Sequence, residues 1–259
     1  MIETRPIPAF DDNYIWLLTE PPGRNAVAVD PGDADPVLET LAAEGLRLTA
    51  VLVTHHHADH VGGLAELAQA FPGLAIIGPR DPRIQGLTQR AGEGELVTPA
   101  GLTSRFTVWE VPGHTATHIA FLGEGCLFCG DTLFAAGCGR VFDGTFEQLS
   151  GSLRRIAALD PATRLFCAHE YTLANLGFAG WVEPDNPALR RRARADAARR
   201  AHDLPTVPSD LAEELATNPF LRTGEPQVIA AAERFAGPGL QGHAAVFKAL
   251  RQWKDAEYD

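Results

Sequence analysis

The sequence predicts an α/β protein whose last third is helical. Three observations carry this prediction. β-prone apolar runs alternate with helical patterns up to about residue 170. The residues able to do chemistry fall at the ends of those runs, where α/β proteins place reactive groups. After residue 171 the β signals fade and an Ala- and Arg-rich helical pattern follows.

The elements follow in order. Residues 27–30 end a strand, and Asp35-Pro36 starts a helix with proline at an early position. Residues 46–53 are apolar and β-prone, and Gly62-Gly63 reads as a turn opening a helix. Residues 75–78, 106–111, 126–129 and 164–167 read as further strands. Residues 147–159 have helical spacing, which Asp160-Pro161 stops. Asn186-Pro187 opens a long helix whose arginine run, residues 190–194, reads as a solvated face beside acidic neighbours. Ser209 to Glu214 resembles a capped helix start, and residues 241–254 are helical by pattern. This pattern gives an α/β domain over residues 1–170 and a helical domain over 171–259.

Composition narrows the class of function. The chain has 259 residues, 45% hydrophobic and 21% charged, as in an ordinary soluble globular protein. No apolar run reaches the roughly 20 residues that span a bilayer, and residues 1–6 have neither the basic nor the apolar region of a signal peptide, so none is expected. A net charge of −11 argues against nucleic-acid binding. Up to Glu170 there are 11 basic and 21 acidic residues, and from Tyr171 there are 11 and 12, so the later part suits an anionic ligand better. Cys126, Cys129, Cys138 and Cys167 read as reduced, buried thiols, which fits the cytoplasm. A monomer is expected.

The densest chemistry is Thr54-His55-His56-His57-Ala58-Asp59-His60, at the end of the 46–53 run. On an extended segment His55 and His57 point the same way and His56 points the other. Asp59 and His60 follow at the turn and reach a second ion. Further donors sit at later strand ends: His114, Asp131 and His169. They sort into one metal on His55, His57 and His114, a second on Asp59, His60 and His169, and a bridging Asp131. Nitrogen and oxygen donors without cysteine suit zinc, iron or manganese.

The motifs THHHADH, PGHT, GDT and AHE resemble those of the metallo-β-lactamase superfamily. That resemblance implies a four-layer αβ/βα sandwich with the metals at one edge of the two sheets. The segments 7–16, 130–140, 168–176, 182–184, 205–208, 218–222 and 251–255 are similar to hydroxyacylglutathione hydrolases, or glyoxalase II, and cover almost the whole chain. The family likeness implies hydrolysis of S-(2-hydroxyacyl)glutathione, chiefly S-lactoylglutathione, to glutathione and D-lactate, the second step of methylglyoxal detoxification. It makes the 1–170 domain catalytic and the 171–259 domain substrate-binding. It implies two divalent ions, zinc foremost, and glutathione contacts at Arg140, Phe142, Tyr171, Arg251 and Lys254. Phe142 stands where the family often has a tyrosine, and it stacks without donating a hydroxyl. Thr117 stands where glycine is usual, so a local backbone change is expected with no loss of metal.

The expected chemistry follows from the donors. Metal binding lowers the pKa of water to about 7, so a bridging hydroxide attacks the carbonyl carbon and a metal stabilises the oxyanion. A thiolate leaves without a strong acid. Asp59 and Asp131 are the catalytic carboxylates. Two other readings compete: a glutathione persulfide dioxygenase using one iron, and a non-catalytic binding protein. A β-lactamase is disfavoured by the missing export signal and the surplus helical tail.

Overall fold

The computed structural model describes residues 2–258. They form two compact units, one of the residues up to Glu110 with Thr117–Gly130, the other of Val111–Ala116 with the residues from Asp131 on. These units cut the chain elsewhere than residue 170.

The first unit begins with an antiparallel run, β1 (Glu3–Ala9), β2 (Asn13–Thr19) and β3 (Asn25–Val29). It continues in parallel through β4 (Arg47–Leu52), β5 (Ala75–Pro79) and β6 (Gln89–Ala91). The parallel steps require crossovers. Helix α1 (Asp35–Glu44) supplies the first; the short α2 (Ala58–Val61) and α3 (Leu64–Ala70) supply the second. Helix α1 has Pro36 in its first turn and ends at Gly45, whose φ of 63° is the left-handed value that glycine adopts without strain.

Strand β4 slips by one residue at Thr49: Ala26 faces Leu48, but Val27 faces Ala50. Such a bulge changes which side chains share a face. Accordingly Leu48, then Val51 and Val53, pack with Val37 and Leu41 of α1 and Leu64 and Leu67 of α3. An antiparallel meander completes the unit: β7 (Leu96–Val97), β8 (Phe106–Glu110), β9 (Ile119–Gly123) and β10 (Cys126–Gly130).

The second unit has a small hairpin, β11 (Leu133–Phe134) with β12 (Gly137–Cys138), and a short pair, β13 (Arg164–Cys167) with β14 (Ser209–Asp210). The rest is helical: α4 (Phe146–Ala157), α5 (Thr172–Val182), α6 (Pro187–Arg200), α7 (Leu211–Thr217), α8 (Pro226–Ala236) and α9 (Gly242–Glu257). Thr145 and Gln148 form a capping box at α4. Among the described residues no helix is long and apolar enough to cross a membrane.

The helix start expected over residues 209–214 is present: α7 begins at Leu211 with Asp210 as its N-cap, without a side-chain cap bond, and Ser209 lies in β14, its hydroxyl donating to Glu214 Oε1. One local expectation is corrected. The arginine run of α6 is not wholly solvated. Arg192 is buried, 2.6 Å from Glu214 and 3.3 Å from Asp196, because a buried guanidinium requires paired carboxylates. All four cysteines are buried thiols outside any disulfide, as expected, and burial pushes the Cys138 thiol up to about 11.

Candidate metal centre

In the first unit, β4 ends at Leu52 and the chain runs on to His57, the N-cap of α2, whose backbone is extended (φ −62°, ψ 146°). Asp59 and His60 then fall in the single turn of α2. His55 and His57 turn to each other and His56 reaches Asp81, although the His56 ring also lies 4.8 Å from that of His57. His55 Nε2 and His57 Nδ1 approach to 3.0 Å, whereas His56 Nδ1 faces Asp81 Oδ2 at 3.6 Å. His60 Nε2 lies 3.4 Å from Asp59 Oδ2. Donor atoms of His55 and His60 also fall within 4.8 Å of one another. One six-residue stretch thus presents two poles, His55 with His57 and Asp59 with His60.

A glycine-lined approach holds this turn. A Cβ on Gly32 would sit 1.8 Å from the Asp59 carbonyl oxygen, and one on Gly62 would sit 2.4 Å from that of Gly32. The loop at Asp30, whose φ is 52°, can therefore lie directly on α2. Asp30 then accepts from Thr54 N and Thr54 Oγ1, both at 2.7 Å, and faces His60 Nδ1 at 3.1 Å. This fixes the imidazole tautomers. The one hydroxyl hydrogen of Thr54 goes to Asp30, so His55 Nδ1, 3.1 Å from Thr54 Oγ1, must donate to it. His60 Nδ1 likewise donates to the Asp30 carboxylate. Both rings keep an Nε2 lone pair, the form in which histidine binds metal. Asn13 Nδ2 donates to Asp59 Oδ2 at 3.1 Å.

In the second unit, Gly113, at φ 142°, lies where a Cβ would come within 2.3 Å of Leu149 in α4. The next residue, His114, donates from Nδ1 to the Arg140 carbonyl at 2.8 Å, so its Nε2 also keeps a lone pair. Asp131 is placed between two histidines. Its Oδ2 lies 3.5 Å from His114 Nε2, and its Oδ1 lies 3.4 Å from His169 Nε2. All three residues are buried.

These separations fit a metal. A tetrahedral zinc with bonds of about 2.05 Å to nitrogen spaces its ligand atoms by roughly 3.3 Å. The four donor pairs lie at 3.0, 3.4, 3.5 and 3.4 Å. The donors are imidazole and carboxylate, and three imidazoles have their second nitrogen anchored to oxygen.

The residues expected to bind substrate divide into two kinds. Phe142 is 63% exposed and meets the His114 ring edge-on at 5.2 Å. Tyr171 is 37% exposed and stacks on His169 at 4.7 Å. The Arg140 side chain is half exposed, its Nε 3.8 Å from Asp255 Oδ1. Arg251 and Lys254 are buried instead, which differs from both a solvated helix face and a freely offered pair of cations. Arg251 donates to the Cys138 carbonyl at 3.1 Å and pairs with Asp255 at 2.9 Å. Lys254 Nζ lies over the Tyr258 ring at 5.7 Å. Thr117 does not adopt a positive φ, so its backbone is ordinary for a residue with a side chain.

Sequence reasoning assigned no role to Asp30, Asn13, Asp81 or His118. Asp30 carried a usable signal, since it ends a strand as His114, Asp131 and His169 do. His118 stacks on His55 at 4.6 Å and 18°; only the fold reveals that.

The chain matches two family models, the metallo-β-lactamase superfamily over residues 10–169 and the hydroxyacylglutathione hydrolase C-terminus over residues 170–257. It is 54% identical to a hydroxyacylglutathione hydrolase of Alkalilimnicola ehrlichii, covering 98% of this chain and 99% of that one. It is 52% identical to one of Xanthomonas campestris, covering 96% and 97%. Among solved structures, ETHE1 from Myxococcus xanthus shares the fold at a TM-score of 0.64 and 23% identity, covering 99% and 98%. TTHA1623, solved in a di-iron-bound form, aligns at a TM-score of 0.55 and 27% identity over 64% of this chain and 91% of that one.

Proposed function

The chain belongs to the hydroxyacylglutathione hydrolase family of the metallo-β-lactamase superfamily, and on that premise we propose the reaction, its metals and its residues. It is a thioester hydrolase that cleaves S-(2-hydroxyacyl)glutathione to glutathione and a 2-hydroxy acid. S-lactoylglutathione is the main substrate in this reading, which makes the step the second of methylglyoxal removal. The observation that supports it most is the match at 54% identity along nearly the whole chain, in a protein that keeps all seven donors.

His55, His57 and His114 would hold one divalent ion, Asp59, His60 and His169 a second, and Asp131 one oxygen toward each. Zinc is the proposed metal, with iron or manganese able to use the same donors. Such a pair, when bound, makes water a nucleophile near neutral pH and polarises a carbonyl. The chain's own groups do the rest. Asp30 and the Arg140 carbonyl keep protons on the Nδ1 atoms of His60 and His114, and Thr54 keeps one on His55. Asp59, steadied by Asn13, and Asp131 are the catalytic carboxylates in this reading, and Asp131 would hold the attacking water in place. The thiolate leaves without a dedicated acid.

Phe142 and Tyr171 flank the thioester from the His114 and His169 sides, and Arg140 meets the anionic peptide. Lys254 adds positive charge. Arg251 acts from beneath, through Asp255, which also faces Arg140. The protein works as a cytoplasmic monomer without nucleic acid or membrane. The test is loss of the thioester absorbance of S-lactoylglutathione with metal-loaded protein. Oxygen uptake with glutathione persulfide, and no thioester loss, would overturn the reading in favour of the dioxygenase.

A further inference from the structure

Asp81 lies just beyond β5, is fully buried, and takes no part in the chemistry above. Its carboxylate gathers three segments of the first unit. Arg83 donates to it from its backbone at 2.9 Å and from its guanidinium at 2.7–3.1 Å. The Thr117 hydroxyl donates to Oδ2. His56 Nδ1 faces the same oxygen at 3.6 Å. Thr117 begins three consecutive residues fastened to the donor stretch or its support: His118 stacks on His55, and Ile119 N donates to the Thr54 carbonyl at 3.0 Å.

We infer that Asp81 is a positioning residue for His55 and His57, and that Thr117 is its second anchor. The argument is geometric. On an extended backbone, fixing the middle side chain to one side fixes its two neighbours to the other. His56 is that middle residue. A buried carboxylate held by Arg83 and Thr117 cannot drift, so it gives His56 a fixed place. Donors already turned toward one point lose less freedom on taking up a metal. The inference rests on the proposed reading that His55 and His57 hold a metal.

The experiment measures how fast zinc leaves the loaded full-length chain in excess chelator, together with the absorption spectrum of the cobalt form. Asp81→Asn should lose metal roughly 10- to 100-fold faster, the range seen for groups that orient ligands. Thr117→Val removes only a hydroxyl at a half-buried position, so it should fold, lose metal several-fold faster and shift the cobalt bands. Thr117→Ser should restore wild-type behaviour, and the melting temperature of the metal-free Thr117→Val form should stay unchanged. A Thr117→Val chain that releases metal at the wild-type rate overturns the inference. So does faster release that merely tracks a lowered metal-free melting temperature and that Thr117→Ser does not cure. A wild-type chain that takes up no metal overturns the underlying metal reading as well, and the two failures are thereby told apart.

Discussion

The two units supply donors in opposite ways. In the first, His55, His57, Asp59 and His60 come from one stretch whose own backbone separates them into two poles. In the second, His114, Asp131 and His169 come from distant points in the chain, and only folding puts Asp131 between the histidines. The first arrangement is encoded locally and supported by a layer of Asp30, Thr54 and Asn13. The second depends on supports far along the sequence, such as the packing of Gly113 on α4. A local set can lose one pole and keep the other, whereas the dispersed set shares one carboxylate between its two histidines.

Asp131→Ala should therefore have the largest effect. Both histidines lose their common partner, and the metal content should fall at both poles. Activity on S-lactoylglutathione should drop by more than the ~100-fold upper end expected when only a supporting group is lost. Elemental analysis retaining a full second equivalent would show that Asp131 serves one pole only.

In the local set, His57→Ala should lose about one equivalent of metal and most activity, while His56→Ala should keep its metal at equilibrium and much of the activity, releasing the metal faster only in excess chelator. The contrast follows from His57 turning to His55 and His56 turning to Asp81. Metal content measured on the two variants decides it. Equal loss in both would mean that the alternation does not govern binding.

The same contrast explains what could be read in advance. The His55 to His60 cluster was legible because spacing along a strand end translates directly into direction. The strands and helices around it were legible from periodicity, and α1, β4, β5 and α9 fall where the pattern puts them. His114, Asp131 and His169 were legible one at a time as strand ends, and their order around Asp131 came from grouping. Arg192 was misjudged. A polar side chain on a helix looks solvated until its partners arrive from elsewhere, and for Arg192 the closest of them is Glu214.

Tyr171→Phe probes the dispersed set more gently. The ring stacks on His169 and meets Phe134, contacts a phenylalanine can keep. What is lost is the half-exposed hydroxyl. If it bonds the charged peptide, the loss is about 1.5–3 kcal/mol and should appear mainly in KM. A fall in kcat with unchanged KM would assign the hydroxyl to the transition state instead.

Arg251→Ala sharpens the comparison by testing a distant support. With the guanidinium gone, the Cys138 carbonyl on β12 and the Asp255 carboxylate lose a buried partner. A stability loss of about 1–3 kcal/mol is expected, visible as a lower urea midpoint. Activity on S-lactoylglutathione and on a small neutral thioester should then fall together. An effect confined to KM for the glutathione thioester, at wild-type stability, would make Arg251 a direct contact.

The smallest effect concerns the frame of the first unit. Glu20, just after β2, accepts from Thr103 N at 2.8 Å and Oγ1 at 2.9 Å, and from Ser104 N at 2.8 Å and Oγ at 2.5 Å, ahead of β8. Burial pushes its carboxyl up, but the bonds from Ser104 and Thr103 outweigh burial and bring it from 4.5 down to about 2. A carboxylate with a depressed folded pKa contributes stability that is fully present above the unfolded value and is lost as pH falls through the folded one. The window therefore runs from about pH 4.5 down to about pH 2. Much of the group faces water, so the contribution is put at about 1 kcal/mol, less than the shift alone implies. Glu20→Gln should lower the unfolding free energy at neutral pH by about that amount. The difference between wild type and variant should shrink as the pH is taken down through the window. A difference that stays constant with pH would mean that Glu20 acts through packing and not through its charge.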